Sequence, residues 1–435
     1  EEAFWKVNPD LFSNLKIRAS YGSLGNGNVS PYSFLELLSI STSGRVLNGL
    51  KNKYTSAPAV MPDGLTWETA TTTDVGLDFG MLNNRLQFNG DYYIRKTTDM
   101  YTVGETLPDV FGASSPKGNY ADMTTKGWEI TLTWRDQFTL AEKPFNYEIR
   151  GTLSDYISTI DRYNNQTGNL DDYYAGKRVG EIWGYVTEGL FKDQADIDSH
   201  ADQTLIQSSS KRITYPGDVK IKDLNGDHVI DYGNNTVDDH GDKTVIGNAL
   251  PRYAYSINLS GDWNNFFLSA FFQGVGKQDW YPSSECIFWG QYNRPYNNMP
   301  TWHQGNYWTE DNTDAYLPRY AGYNASLKST PQTRYLQNVA YIRLKNLQFG
   351  YTLPQPIVSK AKLQNVRVYI SAENLWCWSP LYKHTRDLDV TNIYGSDPDL
   401  TDADMSSGLN GNRGSGDGNS YPQMKSVSLG LSVTF

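Results

Sequence analysis

The segment Met424–Phe435 reads MKSVSLGLSVTF and alternates almost without error. Val427, Leu429, Leu431, Val433 and Phe435 share one parity, and Ser426, Ser428, Gly430, Ser432 and Thr434 share the other. Successive strand residues point to opposite faces, so this segment carries one apolar face and one small, polar face. The same period recurs upstream. Leu15, Ile17, Ala19 and Tyr21 alternate with Lys16, Arg18 and Ser20, and Val75, Leu77, Phe79 and Met81 alternate with Asp74, Gly76 and Asp78. Leu86, Phe88, Tyr92 and Ile94, Trp128–Trp134, Phe145–Leu153, Tyr253–Leu259, Phe266–Phe272 and Val366–Ile370 repeat the pattern. In Tyr341–Tyr351 the apolar parity slips, from Ile342 and Leu344 to Leu347, Phe349 and Tyr351, which predicts a bulge near Lys345-Asn346. Period-2 matching thus gives about ten strands.

The connections between these strands alternate strictly in length. Short ones fall near Asn83-Asn84, Asp136–Pro144, Asn264-Asn265 and Pro354–Lys362. Long ones span Leu24–Leu65, Asp99–Asp122, Ser158–Leu250, Gly276–Asn338 and Trp376–Gln423. Compact soluble domains rarely carry several structureless loops beyond ~12–15 residues. A membrane barrel does so by rule, with short turns on one side and long loops on the other. A last strand that stops on an aromatic, as at Phe435, is also a familiar mark of outer-membrane barrels. The fold class expected is therefore all-β: the C-terminal portion of a transmembrane antiparallel β-barrel, with long extracellular loops. Ten strands would leave two open edges. The first residue is Glu1, not Met, and a missing N-terminal segment or a partner chain is expected to close the barrel.

Composition narrows the function classes. The chain has 435 residues and no apolar run approaching the ~18 residues of a membrane helix, which leaves strand-based spanning open. The net charge of -10 argues against nucleic acid, which calls for a basic footprint. Two cysteines, Cys286 and Cys377, offer neither a disulfide framework nor a zinc spacing. No HExxH, GxSxG, Walker loop or dinucleotide fingerprint occurs, and the five histidines are scattered, so no enzyme is expected.

Two constellations could carry chemistry. Asp223, Asn225, Asp227 and Asp231, with the Val229 carbonyl, match positions 1, 3, 5, 9 and 7 of an EF-hand-like calcium loop. His228 replaces the usual Gly and Asn234 the usual Glu. The alternative is a solvated acidic loop closed by Asx turns. No cofactor is required, and a structural calcium ion would stiffen an outer loop. The second constellation is aromatic. Trp280, Tyr281, Trp289, Tyr292, Tyr296, Trp302, Tyr307, Trp308 and Tyr320 crowd one long connection without strand or helix period. Such rings stack on sugar faces, or else pack the loop on itself or against a partner protein. Trp183, with Asp155, Asp171 and Asp172, forms a weaker candidate surface in the Ser158–Leu250 region. On the polar strand faces, Arg18, Asp74, Asp78, Arg85, Asp91, Glu129, Glu148 and Arg150 are expected to line a barrel lumen.

Several phrases carry a family resemblance. They include LKIRASYGSLGN at Leu15–Asn26, PGDVKIKDLNGDHVID at Pro216–Asp231, YIRLKNLQFGYTLP at Tyr341–Pro354, RVYISAENL at Arg367–Leu375 and the closing SLGLSVTF. With GLTWETATTTDVGLDFGMLNNRLQFNGDYYIRKTTDMY at Gly64–Tyr101 and TVIGNALPRYAYSINLSGDWNNFFLSAFFQGVG at Thr244–Gly276, these resemble the C-terminal barrel half of SusC/RagA-type TonB-dependent transporters of Bacteroidetes. The resemblance spans nearly all of residues 1–435. It implies a ~22-stranded barrel around a plug, the plug and early strands lying outside this chain. It also implies import of a glycan or oligopeptide across the outer membrane, energised by TonB–ExbB–ExbD. A SusD-like lipoprotein would cover the loops, with SusCD units pairing as dimers in outer-membrane lipid. The competing readings are a soluble extracellular β-rich carbohydrate-binding module and a passive porin or adhesin.

Overall fold

The computed structural model describes residues 8, 11–27, 35, 38–56, 64–104, 110, 115–207, 213–282, 286–292, 298–320, 330–391, 393 and 423–435. Ten strands build one sheet: β1 (Phe12–Asn26), β2 (Glu68–Met81), β3 (Leu86–Val103), β4 (Lys117–Leu140) and β5 (Lys143–Arg162), then β6 (Arg252–Trp263), β7 (Phe266–Lys277), β8 (Tyr341–Thr352), β9 (Asn365–Trp378) and β10 (Ser426–Thr434). Each pairs antiparallel with its neighbour in sequence, so the sheet is a single meander with β1 and β10 at its edges. This is the wall of an antiparallel β-barrel, as the alternation predicts.

Register carries the parity across the sheet. Leu15, Phe79, Phe88, Leu132, Gly151, Ile257, Phe272, Leu344 and Trp376 form one continuous cross-strand row. On the opposite face, Arg135, Glu148, Ser260, Ser269, Gln348, Ser371 and Ser428 form another. The apolar face is open, with Ile17 73% and Leu429 78% exposed. Large apolar side chains left uncovered over a whole sheet face need a non-aqueous neighbour. Several charges of the polar face are held in pairs. Arg18 bridges Asp78 at 2.9 Å and Asp91 at 2.8 Å, and Arg135 pairs with Glu148.

The short turns follow from residues that tolerate positive φ. Asn83 and Asn84 sit at 57° and 61°, and Asn264 and Asn265 at 47° and 70°. The bulge falls where the slip in parity places it, with register shifts between Leu344 and Asn346 against β9 and between Phe271 and Phe272 against β7. Several boundaries differ from expectation. The Asp136–Pro144 connection shrinks to Ala141-Glu142, because Phe138 pairs with Phe145 and Thr139 with Pro144. β3 runs on to Val103 and β5 to Arg162, past the expected ends at Asp99 and Ser158. Cross-strand hydrogen bonding extends these strands beyond the range where apolar alternation is visible. The remaining short connection carries a helical turn, Gln355–Val358, with Lys362 at φ 58° closing it.

Candidate functional site

The buried core of the molecule lies in the long connections rather than in the barrel wall. Its members come from three of them: Tyr185, Leu190, Val219, Ile221 and Ile230 between β5 and β6; Trp280, Phe288, Trp289, Tyr292, Leu317 and Tyr335 between β7 and β8; and Leu381, Leu388, Val390 and Ile393 after β9. Short ladders stiffen this body. Glu181–Tyr185 pairs with Lys243–Asn248, Thr187–Leu190 with Val219–Ile221, and Asp279–Trp280 with Gln337–Asn338.

Polar contacts tie the connections to one another. Arg319 donates to Asp218 at 2.7 Å and lies 4.5 Å over the Tyr215 ring. Burial pushes the Asp218 carboxyl up, against the pull of Arg319. Behind them the Trp308 ring covers Gly217, where an added Cβ would stand 2.5 Å from the indole, so only Gly fits. His303 is fully buried. Its Nε2 is 3.0 Å from the Phe288 carbonyl, which can only accept, and its Nδ1 is 3.0 Å from the Tyr320 hydroxyl. Burial pushes the imidazole down to about 4, so the ring is neutral at ordinary pH. From β8, Arg343 donates to Asp389 at 2.6 Å and to Gln423 at 2.9 Å, tying the first part and the last residues of the β9–β10 connection to the wall.

The aromatic constellation divides. Trp280, Trp289 and Tyr292 are core residues with almost no exposed surface. Trp289 Nε1 donates to the Pro282 carbonyl and the Tyr292 hydroxyl to that of Pro318. Tyr281, Trp302, Tyr307, Trp308 and Tyr320 pack around this core and remain partly exposed. Tyr320 stacks on Tyr292 at 4.2 Å and meets Tyr307 edge-on at 5.1 Å. Tyr296 lies outside the described residues. Trp183 stands apart from this cluster, bonded to the Tyr174 hydroxyl and 5.5 Å from the His240 ring. Asp155 is taken by Arg252, and Asp171 by Asn235. Two members escape sequence reasoning, His303 and the His384 ring that stacks on Tyr316 at 4.6 Å. Neither has a local spacing that could mark it, because the contacts cross long sequence separations.

The acidic loop closes on its own backbone. Asp223 accepts from the Gly226 and His228 N–H groups at 2.6 and 2.9 Å, which hold its carboxyl below the usual range. Asn225 accepts from Asp227 N and Asp227 from Val229 N. Asp231 accepts from Gly233 N, while buried Asp242 receives Leu224 N and Asp231 N. His228 adopts φ 64°, as its place in the motif demands. Among the described residues, no group of three or more His, Cys, Asp or Glu side chains is placed to hold a metal ion.

No family model matches the chain. Curated relatives do, along almost its whole length. It is 29% identical to TonB-dependent receptor P3 of Formosa agariphila, over 97% of this chain and 39% of that protein. It is 23% identical to TonB-dependent receptor SusC of Bacteroides thetaiotaomicron, over 99% of this chain and 39% of SusC. The chain therefore spans about two fifths of the length of the curated relatives it matches. Among solved structures, the RagAB peptide importer in its closed-closed state superposes with a TM-score of 0.68 at 18% identity, covering all of this chain and 42% of that one. Whole-chain sequence likeness and a shared barrel-wall fold together bear out the resemblance to the SusC/RagA-type TonB-dependent transporters.

Proposed function

We propose that this chain is the C-terminal part of the barrel wall of an outer-membrane importer that works with TonB and a SusD-like lipoprotein. The observation that carries this reading is the two-faced meander. Its open apolar face suits lipid, its paired charges suit a wet lumen, and three of its long connections gather at one end into a folded body. Such a body offers a firm rim for a lid protein and for cargo. The TonB–ExbB–ExbD contact, the plug and the remaining strands belong to the protein beyond this chain. No covalent chemistry is assigned to it.

The loop body supplies the candidate contacts for cargo and lid. Trp280, Trp289 and Tyr292 serve packing, so cargo and lid contacts fall to the partly exposed Tyr281, Trp302, Tyr307, Trp308, Tyr320 and Trp183. Partly exposed rings suit oligosaccharides and oligopeptides alike. SusC and the RagAB peptide importer are the relatives that frame this choice. Growth and uptake of a deletion strain on glycan and peptide panels, with and without TonB, test the reading. Loss of uptake of one cargo class, reproduced by loss of TonB, is expected. Unimpaired TonB-independent uptake of every cargo would overturn it.

A further inference from the structure

On the apolar face, near the short-turn end, β4, β5, β6 and β7 leave a groove of about 360 Å³ lined by Phe138, Phe145, Tyr147, Ile149, Leu259 and Leu268. The cause is a missing side chain. In the cross-strand row Tyr147–Gly261–Leu268 the middle position is glycine. Its φ is not positive, so the backbone does not require glycine there. A Cβ would stand 3.2 Å from the Phe145 ring, which leans across the gap. A second gap in the same face lies at Gly151, next to Ile149, where a Cβ would meet nothing within 4 Å.

The rim of the groove is built for a headgroup. Phe138 and Phe145 lie 5.0 Å apart, each 6.2 Å from Tyr147, and Trp263 ties its indole to the Leu140 carbonyl at 2.9 Å. Aromatic rings with polar tips gather where acyl chains meet headgroups. Lys143 starts β5 at the adjacent turn, and its ammonium donates to Asn264. Among the described residues no carboxylate ion-pairs with it, so a positive charge stands on the strand that supplies Phe145, Tyr147 and Ile149 to the groove, at its turn end.

We propose that this groove seats one acyl chain of a phospholipid whose phosphate meets Lys143. The proposal rests on the membrane reading above. Beside the leaning Phe145 ring the groove admits a chain, and buried methylenes add to the attraction between phosphate and ammonium.

The test uses the full-length protein purified from outer membranes, with native mass spectrometry counting retained phospholipid as detergent is raised. Wild type is expected to keep one phospholipid. Gly261→Leu fills the slot and Lys143→Gln removes the charge; each should lower retention severalfold. Unchanged retention in either variant overturns the proposal. Sedimentation of all three proteins with carbonate-washed outer membranes separates the two claims. A wild type found soluble there overturns the membrane reading itself, whereas membrane-bound variants with full lipid retention overturn only the groove.

Discussion

Leu429 and Leu431 lie opposite Ile370 and Val368 and are 78% and 65% exposed. Arg at either position should cost about 2–4 kcal/mol if it lies near the bilayer midplane. Refolding into liposomes with urea titration measures this, and a wild-type midpoint would remove these residues from the lipid face. At His303 the depressed pKa means that the native loop holds the neutral ring. Its contribution is complete above the ordinary value of 6.5 and is lost as pH falls from there toward about 4. That shift amounts to roughly 3 kcal/mol of loop stability. Pulse proteolysis of the 286–320 region across this range should show the loss, and His303→Gln should flatten it. In the acidic loop, Asp223, Asn225 and Asp227 already satisfy backbone N–H groups. Chelation should therefore leave hydrogen exchange in 223–242 unchanged, and a calcium-dependent gain in protection would show that an ion binds there. The spacing of these oxygens is visible in sequence, but whether they face an ion or their own backbone depends on side-chain rotation, which spacing does not encode.

Strands were legible because lipid and lumen impose opposite demands on alternate positions, and ten such runs survive into ten wall strands. Strand ends were less so. Around Gln137–Thr139 the ladder continues past Asp136, with Phe138 packed on Phe145 between the polar Gln137 and Thr139, because strand pairing does not stop at the charged residue that interrupts the apolar alternation. The bulge in β8 shows what an irregularity can position. Arg343 and Lys345 both reach Gln423, and Arg343 also holds Asp389, one buried charge against another. Asp389→Ala would leave that guanidinium without its counter-charge, at about 3 kcal/mol, the low end for a broken buried pair because Gln423 and Thr391 still accept from it. Hydrogen exchange should accelerate in 379–391 while β8 and β9 keep their protection. Equal rates in variant and wild type would show that apolar packing of Leu381 and Leu388 alone holds this connection.

For the whole molecule, the apolar band and the edges β1 and β10 make one demand. Expressed alone, this chain should remain in solution only with detergent or lipid. A monodisperse preparation in plain buffer would favour a soluble β-rich module instead. Family phrases and alternation reached this architecture from sequence, whereas the loop body was legible only as a crowd of aromatics for which self-packing was one of the readings. Its aromatics lack period, and its partners are joined across separations such as 218 to 319 that no local pattern spans. One consequence concerns how such a rim can change. Because Tyr185, Trp289 and Leu388 share a single interior, the three connections cannot be exchanged one at a time. A foreign loop would arrive without its complementary surfaces, so recognition here should be transplantable only as a set, and cargo preference should drift through the outer rings while the shared interior is inherited whole.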